Sequence, residues 1–297
     1  MSGPNPPKPR VLLLIDVWGW ALHTVARAVM ANLGDRFAFD LLCAADKPRI
    51  EESRYDILHV LCEHETWHRP FLRGRTKVIK SVFSHYWEVF GMSPEEFYAM
   101  HLREAHALVV PNTKLLTALS GLPPPVHLVR EGVDTHVFRP RLTPREGPLR
   151  AGWAGNPLGA IKRFPWVEEA CAGLMELRTA TGEKTEEEMA GFYPEIDIIL
   201  CASEAEGCPR PLLEGMACGT FPVSFDVGVA AELIRPWQNG LLVTDVSVKG
   251  LRRALEWCAV HPTDVRSAYG TNATIIHERW QWSQTLPALA DVYESVL

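Results

Sequence analysis

The chain has 297 residues, 47% of them hydrophobic and 22% charged, with a formal net charge of −6. That length can bury one large core or two ordinary ones, and the negative balance argues against a nucleic-acid partner. No segment approaches the ~20 consecutive apolar residues of a membrane-spanning helix.

The chain opens on MSGPNPPKPR, a Pro-rich lead without the apolar core of a signal peptide, so a cytoplasmic location is expected. RVLLLIDV then reads as a buried strand and WALHTVARAVMANL as an amphipathic helix. FAFDLLCA, DILHVLC and KVIKSVFSH are further strands, and HALVVPN closes the series after helical SPEEFYAMHLREA. In that helix Ser93 is a cap, Pro94 fits the first helical position, and Glu95 and Glu96 suit the first turn. RPRLTPREGPLR at 139–150 has three prolines and no periodicity, as a linker would. Beyond it LRAGWAG, MELRTA, IDIILCAS, FPVSF and GLLVTD read as strands, with FPWVEEACAGL, EEEMAGFYPEI and VKGLRRALEWCAV as helices. The closing IIHERWQWSQTLPALADVYESVL makes one or two more. Near-continuous apolar strands alternating with helices imply parallel sheets covered on both faces, with function at the carboxyl ends of the strands.

Charge is uneven. Residues 1–146 carry 18 Lys and Arg against 16 Asp and Glu, and residues 147–297 carry 12 against 20. An anion bound by the second half therefore needs local cations. The seven cysteines show no CxxC spacing, which suits buried thiols in a reducing compartment. Arg73, Arg75, Lys77 and Lys80 form a basic cluster that makes a poor amphipathic helix and reads as a solvated loop, so membrane docking is not favoured.

The most informative stretch is CASEAEGCPRPLLEGMACG, 201–219. Glu206 ends an apolar strand, and Glu214, eight positions on, lies in a helical run. A strand-to-helix turn offers backbone N–H groups and the positive end of a helix dipole to phosphate. A carboxylate on either side can then grip hydroxyls at both ends of a sugar–diphosphate–nucleoside. With Ser203, Gly207, Leu213, Gly219 and Pro222-Val223 in register, EGCPRPLLEGMACGTFPV resembles the Glu-x7-Glu block of the retaining GT-B glycosyltransferases of the GT4 family.

The resemblance implies an α/β GT-B fold: two Rossmann-like, doubly wound parallel-sheet domains facing a cleft. The first would span 1–143, with the closing helix 281–297 packing back on it, and the second, nucleotide-sugar domain 144–280. It implies a retaining hexosyltransferase in which Glu206 holds sugar hydroxyls, Glu214 holds the ribose, and Lys162, Arg210 and the 207–212 turn (Gly207, Cys208, Pro211, Leu212) hold the diphosphate. Gly155 and Asn156 would line the same site, Gly19 would approach it from the first strand-to-helix turn, and His85 would orient the sugar. The donor expected is a UDP- or GDP-sugar, and the acceptor a sugar, glycolipid or small molecule. The chain has no Asp-x-Asp, so charge neutralisation by Lys, Arg and amides is expected, with no cofactor or divalent metal. HxxxxHxxxH over His59, His64 and His68 is no metal spacing.

Three departures matter. Asn156 stands where the family places an arginine, and a neutral amide gives no charge-assisted bidentate contact. Arg163 or, preferably, Arg210 is the candidate to compensate. Between Gly155 and Glu206 a strand–helix unit usual in the family is missing, which predicts a compact second lobe. EGVDTHVFRP at 131–140 resembles a structural turn of the family, with Glu131 replacing the usual Asn. Trp18 and Trp20 around Gly19 suit either stacking on a sugar or plugging the turn, and His23 either the site or solvent. The other readings are a non-catalytic nucleotide- or sugar-binding module and a nucleotide-sugar epimerase.

Overall fold

A computed structural model describes residues 7–182 and 184–297. The opening residues of the Pro-rich lead, 1–6, lie outside the described residues. The chain divides into two compact units, Met1–Glu131 with Thr285–Leu297, and Gly132–Gln284.

The first unit holds a parallel sheet of β1 (Arg10–Ile15), β2 (Ala38–Cys43), β3 (Ile57–Val60), β4 (Lys77–Ser81), β5 (Ala107–Val110) and β6 (Val126–Leu128). Its order is β2-β1-β3-β4-β5-β6. Val11 through Ile15 are fully buried, the signature of a strand covered on both faces. The helix Ala21–Leu33 buries Val25, Ala26, Val29 and Leu33, one stripe at helical spacing. Ser93 and Glu96 close a reciprocal capping box, as their spacing predicts. The helix Thr113–Leu119 and the three-residue β6 were not expected. All three β6 residues are only partly buried, and three prolines precede them, so no apolar run marks the strand.

The closing helix Pro287–Val296 belongs to this unit. Buried Tyr293 packs edge-on against Phe37 and joins its hydroxyl to His59 Nδ1 at 2.7 Å. His59 Nε2 meets Ser81 Oγ at 2.8 Å. Burial depresses the His59 pKa from 6.5 to about 3, so it is neutral in the fold. The unfolded chain then binds the extra proton between those values, and stability contributed above pH 6.5 is lost as pH falls towards 3. Urea midpoints of the wild type should therefore decline across that window, and His59→Gln should flatten the decline. An equal slope in both proteins would remove His59 from the explanation.

The basic cluster differs from expectation. Lys80 is not in a solvated loop but on central strand β4, completely buried. Its Nζ donates to the carbonyls of Glu65 (2.8 Å) and His101 (2.6 Å) and lies 3.5 Å from Glu104 Oε1. A lysine in a strand buried on both faces needs partners from distant loops, which residue order does not display.

The second unit holds β7 (Arg150–Ala154), β8 (Glu176–Ala180), β9 (Ile198–Cys201), β10 (Phe221–Phe225) and β11 (Leu241–Val243), all parallel, in the order β11-β10-β9-β7-β8. The stretch from 132 into the expected linker is tied to this unit. Val133 N–H donates to the Trp280 carbonyl, and Phe138 packs on Tyr193 in the unit's core. Arg145 pairs with buried Asp197 at 2.9 Å. Tyr269 Oη donates to the Arg141 carbonyl. Among the described residues no helix is long and apolar enough to cross a membrane.

Candidate functional site

From β7 the chain turns to β8 on one side, and from β9 it turns to β10 on the other. The carboxyl ends of β7 and β9 therefore flank a topological switch point, where open parallel sheets bind ligands. The loops leaving these two strands carry the residues singled out by the sequence.

After β7, Gly155 adopts φ +154°, and a Cβ there would press on the Trp153 ring at 3.2 Å. Asn156 Oδ1 accepts the Leu158 N–H and its carbonyl accepts that of Gly159, an Asx-type turn that serves the backbone. The turn Ala160–Lys162 follows, and Lys162 Nζ reaches Glu206 Oε1 at 2.5 Å. Glu204 N–H donates to the Ile161 carbonyl at 2.8 Å, which locks the two loops together. Arg163 is turned elsewhere, 3.3 Å from Glu204 and with its guanidinium over the Trp166 ring.

After β9, the turn through Gly207, Cys208 and Pro209 is buried and leads into the helix Arg210–Ala217. Gly228, in the loop after β10, comes so close that a Cβ would lie 2.4 Å from the Gly207 carbonyl oxygen. Only glycine permits that approach, which holds the turn from behind. Pro209 and Pro211 have no N–H, and that of Leu212 is taken by the Pro209 carbonyl at 2.8 Å, so these three supply no amide to an anion. The Leu212 side chain is buried. All seven cysteines are free, and Cys208 is buried.

Glu206 and Glu214 sit in unlike surroundings. The Glu206 side chain is 14% exposed and faces Lys162. Glu214 is buried, with Oε2 accepting from Tyr193 Oη at 2.7 Å and Oε1 from Arg210 Nη2 at 3.0 Å. Burial, then the adjacent Glu214 charge and hydrogen bond, push the Tyr193 hydroxyl pKa well above its usual value. Arg210 Nη2 also lies 3.3 Å from Glu186 Oε1, and its guanidinium stands 5.9 Å from the Trp282 ring centroid. Tyr193, Glu186 and Gly228 were not anticipated. The first two lie 21 and 24 positions from their partners, and no local pattern marks them.

The structure thus forms two pairs within the second unit, Lys162 with Glu206 and Arg210 with Glu214. His85 and Gly19 belong to the first unit. His85 is half-buried just past β4, beside Ser84, whose Oγ donates to Glu63. Gly19 N–H donates to His23 Nδ1 at 3.1 Å, so this ring nitrogen serves the turn before the helix, and Trp18 Nε1 donates to Asp46.

Two doubly wound parallel sheets of these orders define a GT-B fold, and solved structures agree. Sucrose-phosphate synthase from Thermosynechococcus elongatus superposes with TM-score 0.81 at 13% identity, over 97% of this chain and 99% of that one. Anabaena HepE, in complex with UDP and glucose, superposes with TM-score 0.72 at 12% identity, over 97% and 100%. Within this fold, residues 173–274, which lie in the second unit, match the family described as "Glycosyl transferases group 1". Curated relatives include the D-inositol 3-phosphate glycosyltransferase of Streptomyces bingchenggensis, 26% identical over 150 residues, half of this chain and 32% of that protein. The O-antigen biosynthesis protein RfbC of Myxococcus xanthus is 30% identical over 174 residues, half of this chain and 14% of that protein. The chain spans about a third or less of the length of these relatives.

Proposed function

We propose that the chain is a glycosyltransferase that moves a sugar from a nucleotide-diphospho-sugar to an acceptor, with retention and without a divalent metal. The observation that carries the reading is the Lys162–Glu206 contact, made between the β7 and β9 loops at the switch point beside a helix start. An ammonium and a carboxylate so placed match a ligand with phosphate charge next to sugar hydroxyls. Lys162 and Arg210 would take the diphosphate, Glu206 the sugar and Glu214 the ribose. His85 would orient the sugar, and the first unit would supply the acceptor side. Stabilising the departing diphosphate by fixed charges is the main catalytic term this set can offer. HepE's complexes with UDP and with UDP-glucose make UDP the first base to try, with GDP next. The lack of Asp-x-Asp in the sequence supports metal independence.

Asn156 in its backbone turn and Arg163 on Glu204 leave the family's arginine position without a cation, which favours a non-catalytic binding module as the second reading. A thermal-shift panel of UDP, GDP, ADP and dTDP with their sugar conjugates, with and without EDTA, separates the two when paired with a turnover assay. At a ligand concentration of 100 Kd the stabilisation is about 2.7 kcal/mol. The expected result is a shift selective for one base, insensitive to EDTA, lost in Glu214→Ala and accompanied by turnover. A shift without turnover on any donor supports the module, and no shift overturns both readings.

A further inference from the structure

The Arg210 guanidinium is shared by two carboxylates through one nitrogen. Nη2 lies 3.0 Å from Glu214 Oε1 and 3.3 Å from Glu186 Oε1. One positive charge therefore serves at least these two carboxylates, in a half of the chain that is already acidic. The two carboxylates are held very differently. Glu214 is 8% exposed, and its other oxygen is fixed by the buried Tyr193 hydroxyl. Glu186 is 31% exposed, makes the longer contact, and stands in the first turn of the helix Glu186–Phe192. Releasing Glu214 would strand a charge in the core, which is costly, whereas Glu186 has water to receive it. Of the two, Glu186 is the one that can leave.

We propose that Glu186 is a displaceable counter-ion of Arg210, which the diphosphate of the donor replaces. The inference rests on the reading of this site as a nucleotide-diphospho-sugar site. Before binding, Glu186 holds the guanidinium at the helix start and keeps it from collapsing onto Glu214 alone. On binding, the diphosphate takes the place of Glu186 on Nη2, while Tyr193 keeps Glu214 in place for the ribose. Arginine suits the exchange because its planar fork presents several N–H donors to either anion. Glu186 thus lowers donor affinity, and removing its charge should tighten binding. A residue whose role is to support the site would do the reverse.

The test is a double-mutant cycle with UDP and GDP as probes, read by isothermal titration on the full chain. Glu186→Gln keeps the Thr185–Glu188 capping box intact, so the helix start is retained. Expected is a Kd lower by roughly 2- to 5-fold, the worth of an ion pair at this exposure. In an Arg210→Gln background, titrated to millimolar nucleotide, the same substitution should leave Kd within about 2-fold, since the competition is gone. Equal tightening in both backgrounds would mean a long-range charge effect and would overturn the exchange. Weaker binding by Glu186→Gln would make Glu186 a support and overturn it as well. Binding by the wild type with Kd unchanged in Glu186→Gln would sink this inference alone. No binding by the wild type would sink the donor-site reading, and the inference with it.

Discussion

Glu206→Ala is expected to lower kcat/KM for sugar transfer on the order of 10²–10³-fold, the cost of losing one positioned polar contact in a transition state. Glu206 lies in the loop that follows β9, which ends at Cys201, and the Glu204 N–H bond to the Ile161 carbonyl ties that loop to the one after β7. Its carboxylate also sets the position of Lys162 at 2.5 Å. Removing it costs the site twice: a hydroxyl acceptor is lost, and an ammonium becomes free to wander. The fold should survive, because the Lys162 side chain is 31% exposed and can be solvated. An ion pair of this kind contributes about 0.2–1 kcal/mol. A melting temperature lowered by no more than about 4 °C is therefore expected. Turnover within threefold of the wild type would remove Glu206 from the site.

The largest effect on stability is expected in the first unit. Glu104→Gln should cost about 3–5 kcal/mol, the usual penalty for leaving a buried charge without its counter-charge. Glu104 accepts from His68 Nε2 and Arg69 Nη2, both at 2.9 Å, and lies 3.5 Å from Lys80 Nζ. Burial opposes its ionisation, but those hydrogen bonds and the Lys80 charge hold its pKa far below the usual carboxylate range. Burial pulls Lys80 the other way, down to about 8, with Glu104 opposing. In the variant Lys80 would keep the Glu65 and His101 carbonyls but lose its nearby anion. Because the folded pKa of Lys80 lies below its ordinary 10.5, the unfolded chain holds more protons between about pH 8 and 10.5. Stability then rises with pH across that window. The penalty in Glu104→Gln should accordingly shrink when urea unfolding is repeated at pH 9. A loss under 1 kcal/mol at pH 7 would show that Lys80 does not depend on Glu104.

Much of the architecture was legible in residue order. RVLLLIDV, KVIKSVFSH, IDIILCAS and FPVSF are dense apolar runs, and each became a strand of a parallel sheet, because a strand covered on both faces has no polar face to dilute the pattern. The cap at Ser93 was equally clear, since all its partners lie within one helical turn. β6 was not legible, being short, half-buried and preceded by prolines. Lys80 was misread as solvated because its counter-charge lies 24 positions away.

The sequence by itself determined the two-sheet α/β class, the Glu206–Glu214 block with its place at a strand-to-helix turn, and the candidacy of Lys162 and Arg210. These are properties of neighbours in the chain, and short-range spacing encodes them. The tertiary structure decided which of these groups meet. It set Lys162 on Glu206 across 44 positions, turned Arg163 away to Glu204, and placed Glu214 between Tyr193 and Arg210 with Glu186 as a second claimant on the guanidinium. The strand order β9-β7 at the switch point brings these loops together, and strand order arises from how crossovers pack, not from any pattern within a strand.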